Sequence, residues 1–467
     1  MKKTLSRALA LLLVLSLFPL ALLGCEDDQA EPDQSNPVIS EEESLADVSE
    51  ESSEPEEDTT PMVNISQDPS YTNVALNKTY KKSNLHPADN PSYPDEGNIS
   101  MTDGILPAER ANYSDKAFMG FSRSSADYCA NGYSAITVDL GGNYALDKFV
   151  AHTASCQFLR VGIDAPLIVW IFVSNDGEEW HRVGATTQVD DAKKANVECT
   201  LIIEEAVTAR YVQYRFCANA GGWMFISEVE AYGIATERQL AYPVQNVDKK
   251  ILFVGNSTTF FFNIPYKVFF IAQSAGINIE VEYCCGGGAY LSQYADPSNQ
   301  LGALFKSKLN ATKYDYVVLQ DNGNADYAES QPALEKLVPM IRATDAEVVL
   351  YKRYSSNSDP AQRPASAYRH EVNYTKLAET YSIEKVAPVA DAFLICTEKY
   401  PKINLYHTDD SHHSDIGGYL SACVLAMTYL DIDVEDITYT AGLDEETANA
   451  LKECAKIACE QGYDYNK

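Results

Sequence analysis

Two different periods of apolar residues divide the chain. From about Tyr71 to Gly233, apolar and polar positions alternate in short runs: SAITVDL, DKFVAHT, LIVWIFVS, ECTLIIEE, RYVQYRF and SEVEAYG. Turn signals such as Gly141-Gly142-Asn143 and Asn175-Asp176-Gly177 separate them. Alternation at period two, with nothing of helical length between, predicts short antiparallel strands in a sandwich. Beyond a connector at 236–248 the pattern changes. KKILFVG, INIEVEYCC, YDYVVLQ, AEVVLYKRY and IEKVAPVA are continuous apolar runs, and helix-like segments lie between them: TTFFFNIPYKVFFIAQSAG, QPALEKLVPMIRAT and RPASAYRHEVNYTKLAETYS. Strands apolar on both faces, alternating with helices, predict a parallel sheet between two helical layers, with any site beyond the C-terminal strand ends.

The first residues follow neither pattern. Lys2, Lys3 and Arg7 precede the apolar run ALALLLVLSLFPLALLG, which reads as a signal sequence at 1–24. The stretch from Glu26 to Asp58 is acidic and contains no Lys, Arg or aromatic residue. It cannot bury enough apolar surface to fold, so 25–66 is expected to be an extended acidic linker. The expected order is then a β-sandwich at 67–235, the connector, and an α/β domain at 249–467. The LLGC junction resembles a bacterial lipobox, which implies cleavage before Cys25, lipidation of that cysteine, and an extracytoplasmic, outward-facing protein held to the membrane by its lipid.

The net charge of −31 disfavours nucleic acid as a partner, because phosphate backbones are repelled, although about half of that charge lies in the acidic stretch and the folded part is less extreme. Of the eleven cysteines, Cys129, Cys156, Cys199 and Cys217 share one region and could pair, whereas the adjacent Cys284 and Cys285 are not expected to pair with each other. Free buried thiols are the alternative.

Candidate chemistry gathers at the predicted strand ends. VGNSTT places Ser257 at a strand-to-helix turn, where a helix N-terminus offers N–H groups to an anion, although a serine there is also an ordinary cap. CCGGGAYL allows close backbone approach, LQDNGN brings an amide side chain, and YHTDDSHHSD packs three of the seven histidines with three aspartates. That last stretch suits a zinc site, a proton relay or a polar loop. No GxSxG elbow is present.

The ordered set Ser, Gly, Asn, Asp-x-x-His resembles the SGNH (GDSL-type) hydrolase superfamily. The resemblance implies a three-layer flavodoxin-like fold. Ser257 is then the nucleophile, His412 the base and Asp409 its orienting carboxylate, preferred over Asp410 on spacing. The N–H groups of Ser257 and Gly288 and the Asn322 amide form the oxyanion hole. No cofactor is implied for catalysis. The chain departs from the family pattern at Asn256, where aspartate is usual, at Gln320, where glycine is usual, and at His413, often proline.

The phrases NVALNKTY, MTDG, ITVDLG, SNDGEEW, ARYVQYRF and SEVEAYG resemble an F5/8 type C (discoidin-like) domain, a galactose-binding-like jelly roll found among carbohydrate-binding modules. This resemblance implies a structural calcium ion held by Asp103 and Glu228; the alternative is a turn-capping aspartate and a solvated strand glutamate. Trp223, in NAGGWMF, is the candidate aromatic for stacking on a sugar. The combined expectation is a cell-surface serine esterase removing O-acyl, chiefly acetyl, groups from a glycan. The alternatives are a non-catalytic glycan-binding lipoprotein with a degenerate hydrolase fold and, third, a zinc enzyme.

Overall fold

The structure, a computed structural model, describes residues 60–83, 95–108, 113–122, 125–155, 162–187, 196–219, 222–243, 246–356 and 358–466. The signal sequence, Cys25, Cys156 and the linker before residue 60 lie outside these.

The alternating region forms eight strands: β1 (Thr72–Asn73), β2 (Tyr80–Lys82), β3 (Met119–Ser122), β4 (Ser134–Ala154), β5 (Ile168–Ser174), β6 (His181–Thr187), β7 (Asn196–Cys217) and β8 (Trp223–Ala235), with helix α1 (Ala126–Asn131) before β4. All pairings are antiparallel. β4 and β7 are 21 and 22 residues long, far beyond an ordinary strand, and their mutual register shifts between Asp139 and Tyr144 and between Leu146 and Lys148. The N-terminal half of β4 pairs with β2 and its C-terminal half with β8, within one eight-stranded sheet. Their apolar faces, among them Ile136, Val138, Phe149, Val173, Tyr214 and Val229, meet in one buried cluster. Cys129, Cys199 and Cys217 are buried free thiols.

The second region contributes β9 (Lys249–Gly255), β10 (Ile279–Cys285), β11 (Tyr316–Leu319), β12 (Glu347–Tyr351) and β13 (Lys385–Ala387), all parallel, in the spatial order β10-β9-β11-β12-β13. Nine helices accompany them among the described residues: α2 (Ser257–Phe260), α3 (Ile264–Ser274), α4 (Leu291–Tyr294), α5 (Gln300–Ala311), α6 (Tyr327–Arg342), α7 (Arg363–Tyr381), α8 (Val389–Lys399), α9 (Asp415–Tyr429) and α10 (Glu445–Gln461). The continuous apolar runs are explained by burial on both faces. Ile251 and Phe253 enter a core with α3, α8, α9 and α10, whereas Leu252 and Val254 enter another with α5, α6 and α7. The chain order reverses at β9, between β10 and β11, and such a switch point leaves a crevice at the C-terminal strand ends.

The two sheets belong to one compact unit, Glu57–Lys467. Ile168 and Cys217 of the sandwich are part of the α3-side core of the parallel sheet, Trp170 meets Phe269 edge-on at 5.3 Å, and Arg182 pairs with Glu280 at 3.2 Å. Tyr266 donates its hydroxyl to the carbonyl of Gly132 at 3.0 Å.

One helix expected as a single piece is broken. TTFFFNIPYKVFFIAQSAG forms α2 and α3 with a turn between, where Phe262 and Asn263 take φ of 50° and 55°. Left-handed backbone is tolerated by asparagine but costly for Phe262, and the surroundings must hold it. The Asn263 Nδ2 donates to the carbonyls of Ala218 at 2.6 Å and Asn219 at 3.4 Å, so the sandwich itself fixes the turn.

Candidate active site

Ser257 is the first residue of α2, immediately after β9. Asn256 caps the helix: its Oδ1 accepts the N–H of Thr258 at 3.0 Å, and its Nδ2 donates to the carbonyl of Ala289 at 2.9 Å. An aspartate could make the first bond but not the second, which explains the amide here. Gly255 has no room for a side chain, since a Cβ would stand 2.6 Å from Thr259 Oγ1 and 2.7 Å from Gln320 Oε1.

The stretch from Tyr406 to His413 closes on itself as a tight hairpin, with an antiparallel bridge between those two residues and a bond from the His407 N–H to the His412 carbonyl at 2.9 Å. At its tip Asp409 Oδ1 accepts the N–H groups of Ser411 and His412, each at 2.9 Å, and its Oδ2 meets His412 Nδ1 at 2.7 Å. His412 Nε2 lies 2.8 Å from Ser257 Oγ. The structure thus brings three residues, 155 positions apart at the extremes, into one hydrogen-bonded line. Partial burial raises the Asp409 carboxyl, but the backbone and ring of His412 and the N–H of Ser411 together hold it well below the usual carboxylate range. Asp410 takes φ of 58° at the turn, and Asp409 is the carboxylate that meets the ring.

His413, next to the base in sequence, is fully buried; its N–H donates to Tyr354 Oη at 2.8 Å, and burial first pulls its imidazole down to about 4. It belongs to the core under the hairpin. His407 is partly exposed, with Nδ1 3.2 Å from Asp409 Oδ2. His407 and His412 thus share the Asp409 carboxylate while His413 turns into the core, and among the described residues no group of three or more His, Cys, Asp or Glu side chains converges as a metal site.

The loop of Gly288 adjoins the nucleophile turn, where Asn256 Nδ2 donates to the carbonyl of Ala289. Neither the Ser257 nor the Gly288 backbone N–H finds an acceptor among the described residues. Gly288 sits at φ of 67°, a conformation that suits glycine. Asn322 Nδ2 donates to the Gly288 carbonyl at 2.8 Å, which ties the two loops and leaves its second amide hydrogen available.

Four supports were not foreseen from the sequence. Gln320, buried where a glycine was the family expectation, accepts the Asn256 N–H and the Thr259 hydroxyl at 3.0 Å each through Oε1. Asp321, also buried, accepts the Leu291 N–H at 2.9 Å, the Asn322 N–H at 2.7 Å and the Ser330 hydroxyl at 2.7 Å. Burial raises its carboxyl, against these bonds. Phe261 stacks on the His412 ring at 4.4 Å, and Tyr354 stacks on Phe393 at 4.5 Å beneath the hairpin. Only the left-handed turn at Phe262 directs Phe261 this way, and no local pattern announces it.

In the sandwich, Glu228 is completely buried. Its Oε1 accepts the Gly104 N–H at 3.1 Å, while Oε2 is buried without a partner. Burial, then the charges of Asp103 and Glu230, push the Glu228 carboxyl up to about 8 despite the Gly104 bond. An orphaned carboxylate oxygen beside a second carboxylate is a donor set that suits a hard cation. Trp223 is 37% exposed at the start of β8, 6.2 Å from Phe225 ring to ring.

No family model matches the chain, and no curated protein matches it. Similar solved structures include a DUF4886 family protein from Bacteroides uniformis, 18% identical over 45% of this chain and 94% of that one, with a TM-score of 0.40. A candidate SGNH hydrolase from Slackia heliotrinireducens is 24% identical over 39% of this chain and 99% of its own, with a TM-score of 0.33. A carbohydrate-binding module from Clostridium perfringens, in complex with GalNAc-β-1,3-galactose, is 17% identical over 33% of this chain and 94% of its own, with a TM-score of 0.25.

Proposed function

We propose that this chain is a serine esterase of the SGNH type that removes O-acyl groups, chiefly acetyl, from a glycan. The observation that carries the reading is the line Ser257 Oγ, His412 Nε2, His412 Nδ1, Asp409 Oδ2, with bonds of 2.8 and 2.7 Å, next to two backbone N–H groups without acceptors.

In the reaction, His412 Nε2 takes the Ser257 proton as Oγ bonds to the ester carbonyl carbon, and Asp409 steadies the imidazolium. The carbonyl oxygen becomes an oxyanion facing the N–H groups of Ser257 and Gly288 and the Asn322 amide. Collapse expels the sugar alkoxide, which takes the proton from His412. A water molecule then attacks the acyl-serine, giving its proton to His412, and Ser257 is regenerated with release of the carboxylic acid.

The glycan half of the reading is supported by the discoidin-like phrases of 67–235 and by the partly exposed Trp223. The leader and Cys25 support lipid anchoring on the outer face of a membrane. The test is labelling of the purified chain by a fluorophosphonate probe: one equivalent is expected on Ser257, and none in Ser257→Ala. Equal labelling of both, or of neither, rejects the reading.

Calcium at Asp103 and Glu228 belongs to the same proposal, as a tie between loops of the sandwich. The sign of its pH dependence follows from the raised carboxyl. Folded Glu228 keeps a proton up to about 8 that the unfolded chain releases near 4.5, so without calcium this group costs stability progressively as pH rises between those values. In chelator, Tm is expected to fall from pH 5 to pH 8, and millimolar calcium should restore it most at pH 8. Glu228→Gln should flatten both responses. Identical melting of the wild type with and without calcium at pH 8 would reject the site.

A further inference from the structure

Beyond β12 the chain passes through Lys352, Arg353 and Tyr354, at the same sheet edge as Ser257 and Asn322. Lys352 is buried and paired with both Glu371 and Asp391. Arg353 is treated differently. Among the described residues its guanidinium has no carboxylate partner, and its one hydrogen bond runs from Nε to the carbonyl of Tyr354 at 3.0 Å. The Nη hydrogens find no acceptor, although the side chain is half-buried and the sequence holds 67 carboxylates against 36 basic residues. The Tyr354 ring lies 5.0 Å from the guanidinium carbon, a contact that offsets part of the cost of the cation but leaves the Nη hydrogens unmet.

Its position is informative. A Cβ built on Gly323 would stand 1.9 Å from Arg353 Nη1, so the guanidinium lies directly on the backbone of the residue after Asn322. Gly323 also lines a cavity of about 400 Å³, whose wall includes Tyr327, Tyr368, His370, Asn373 and Lys376. Tyr368 is 53% exposed there. Asn373 Oδ1 is buried without a partner, while its Nδ2 donates to the carbonyl of Ala325 at 3.5 Å. Burial, followed by the charge of Arg353, pulls the His370 ring down to about 3, so it stays a neutral donor and acceptor. The one carboxylate in the wall, Asp326, is occupied in capping α6. An aromatic face, unpaired polar atoms and cations without acids combine the requirements for a sugar ring bearing negative charge.

We propose that Arg353 binds a substrate carboxylate and that the adjoining cavity takes the sugar bearing it, so that the substrate is an acidic, uronate-type glycan. The proposal deepens the esterase reading and rests on it for the position of the ester.

The test uses the full chain with oligogalacturonate and a neutral galactan oligomer of equal length, measured by calorimetry, together with kcat/KM on their O-acetylated forms. The wild type is expected to prefer the acidic ligand. Because a charge-assisted bidentate bond is lost, Arg353→Gln should lower the acidic-to-neutral ratio by about 30-fold, through Kd and KM rather than kcat. Arg353→Lys should recover part of the ratio, and 0.5 M salt should reduce it. Lys313→Gln, which removes the same charge at the opposite end of the sheet, should keep the ratio. An unchanged ratio in Arg353→Gln, or a wild type that prefers the neutral oligomer, overturns the proposal. Binding is read apart from turnover. Absence of Ser257-dependent hydrolysis with the acidic preference intact would therefore reject the esterase reading alone.

Discussion

Asp409→Asn is expected to lower kcat for p-nitrophenyl acetate by about 10³- to 10⁴-fold, with a fall in Tm too small to unfold the chain at assay temperature. The reason lies in the 2.7 Å contact with His412 Nδ1. The carboxylate accepts the Nδ1 hydrogen and leaves Nε2 bare toward Ser257. An amide that turns its N–H toward Nδ1 selects the other tautomer, with a hydrogen on Nε2 aimed at Oγ, and the base is lost. KM should move less than threefold, because geometry is kept. Stability-versus-pH adds a second check. The Asp409 carboxyl is held below its ordinary 3.8, so the stability it contributes is complete above about 4 and is lost only as pH falls further. Activity lost between pH 7 and pH 5 therefore cannot come from protonating Asp409. A loss of less than tenfold in Asp409→Asn would show that this carboxylate does not orient the base.

Asp321→Ala is expected to lower kcat about 100-fold and destabilise the chain by about 3 kcal/mol. Alanine strips the acceptor from two N–H groups and one hydroxyl in a buried place, and one of those N–H groups belongs to Asn322. The other belongs to Leu291, three residues after Gly288. Both sides of the anion site would lose their common anchor. Asp321→Asn should stay within about fivefold of wild type, since burial already disfavours the charged form, the amide oxygen can accept both N–H groups, and the Ser330 hydroxyl can turn to accept from Nδ2. Chemical denaturation and steady-state kinetics on the two variants separate the effects. Equal kcat in alanine and asparagine variants would show that Asp321 supports the fold without positioning the site.

The sequence was most informative where the physics is local and repeated. Alternation at period two marked the segments that became β4, β5, β7 and β8, although SAITVDL and DKFVAHT are joined in β4 and ECTLIIEE and RYVQYRF in β7, and the continuous runs marked β9 to β13, because a strand's burial on one face or two is written into its own residues. The order of Ser257, Gly288, Asn322, Asp409 and His412 was also legible, since each sits just beyond a strand or before a helix and each type has a short list of uses there.

Other features depended on what packs against what. His413 and His412 are neighbours of the same type, and only the Tyr354 hydroxyl and the hairpin bridge send one into the core and the other to Ser257. Gln320 and Asn256, departures from the family pattern when read as letters, both lock the nucleophile turn: Gln320 Oε1 accepts the backbone N–H of Asn256, and the Asn256 side chain ties the turn to Thr258 and Ala289. Phe261 reaches His412 because the sandwich carbonyls of Ala218 and Asn219 hold Asn263 in a left-handed turn. By itself the sequence determined which elements form and which chemical groups the strand ends carry. Only the tertiary structure decided which of those groups meet, because contacts between residues far apart in the chain depend on long-range closure and shared burial, which no local period records.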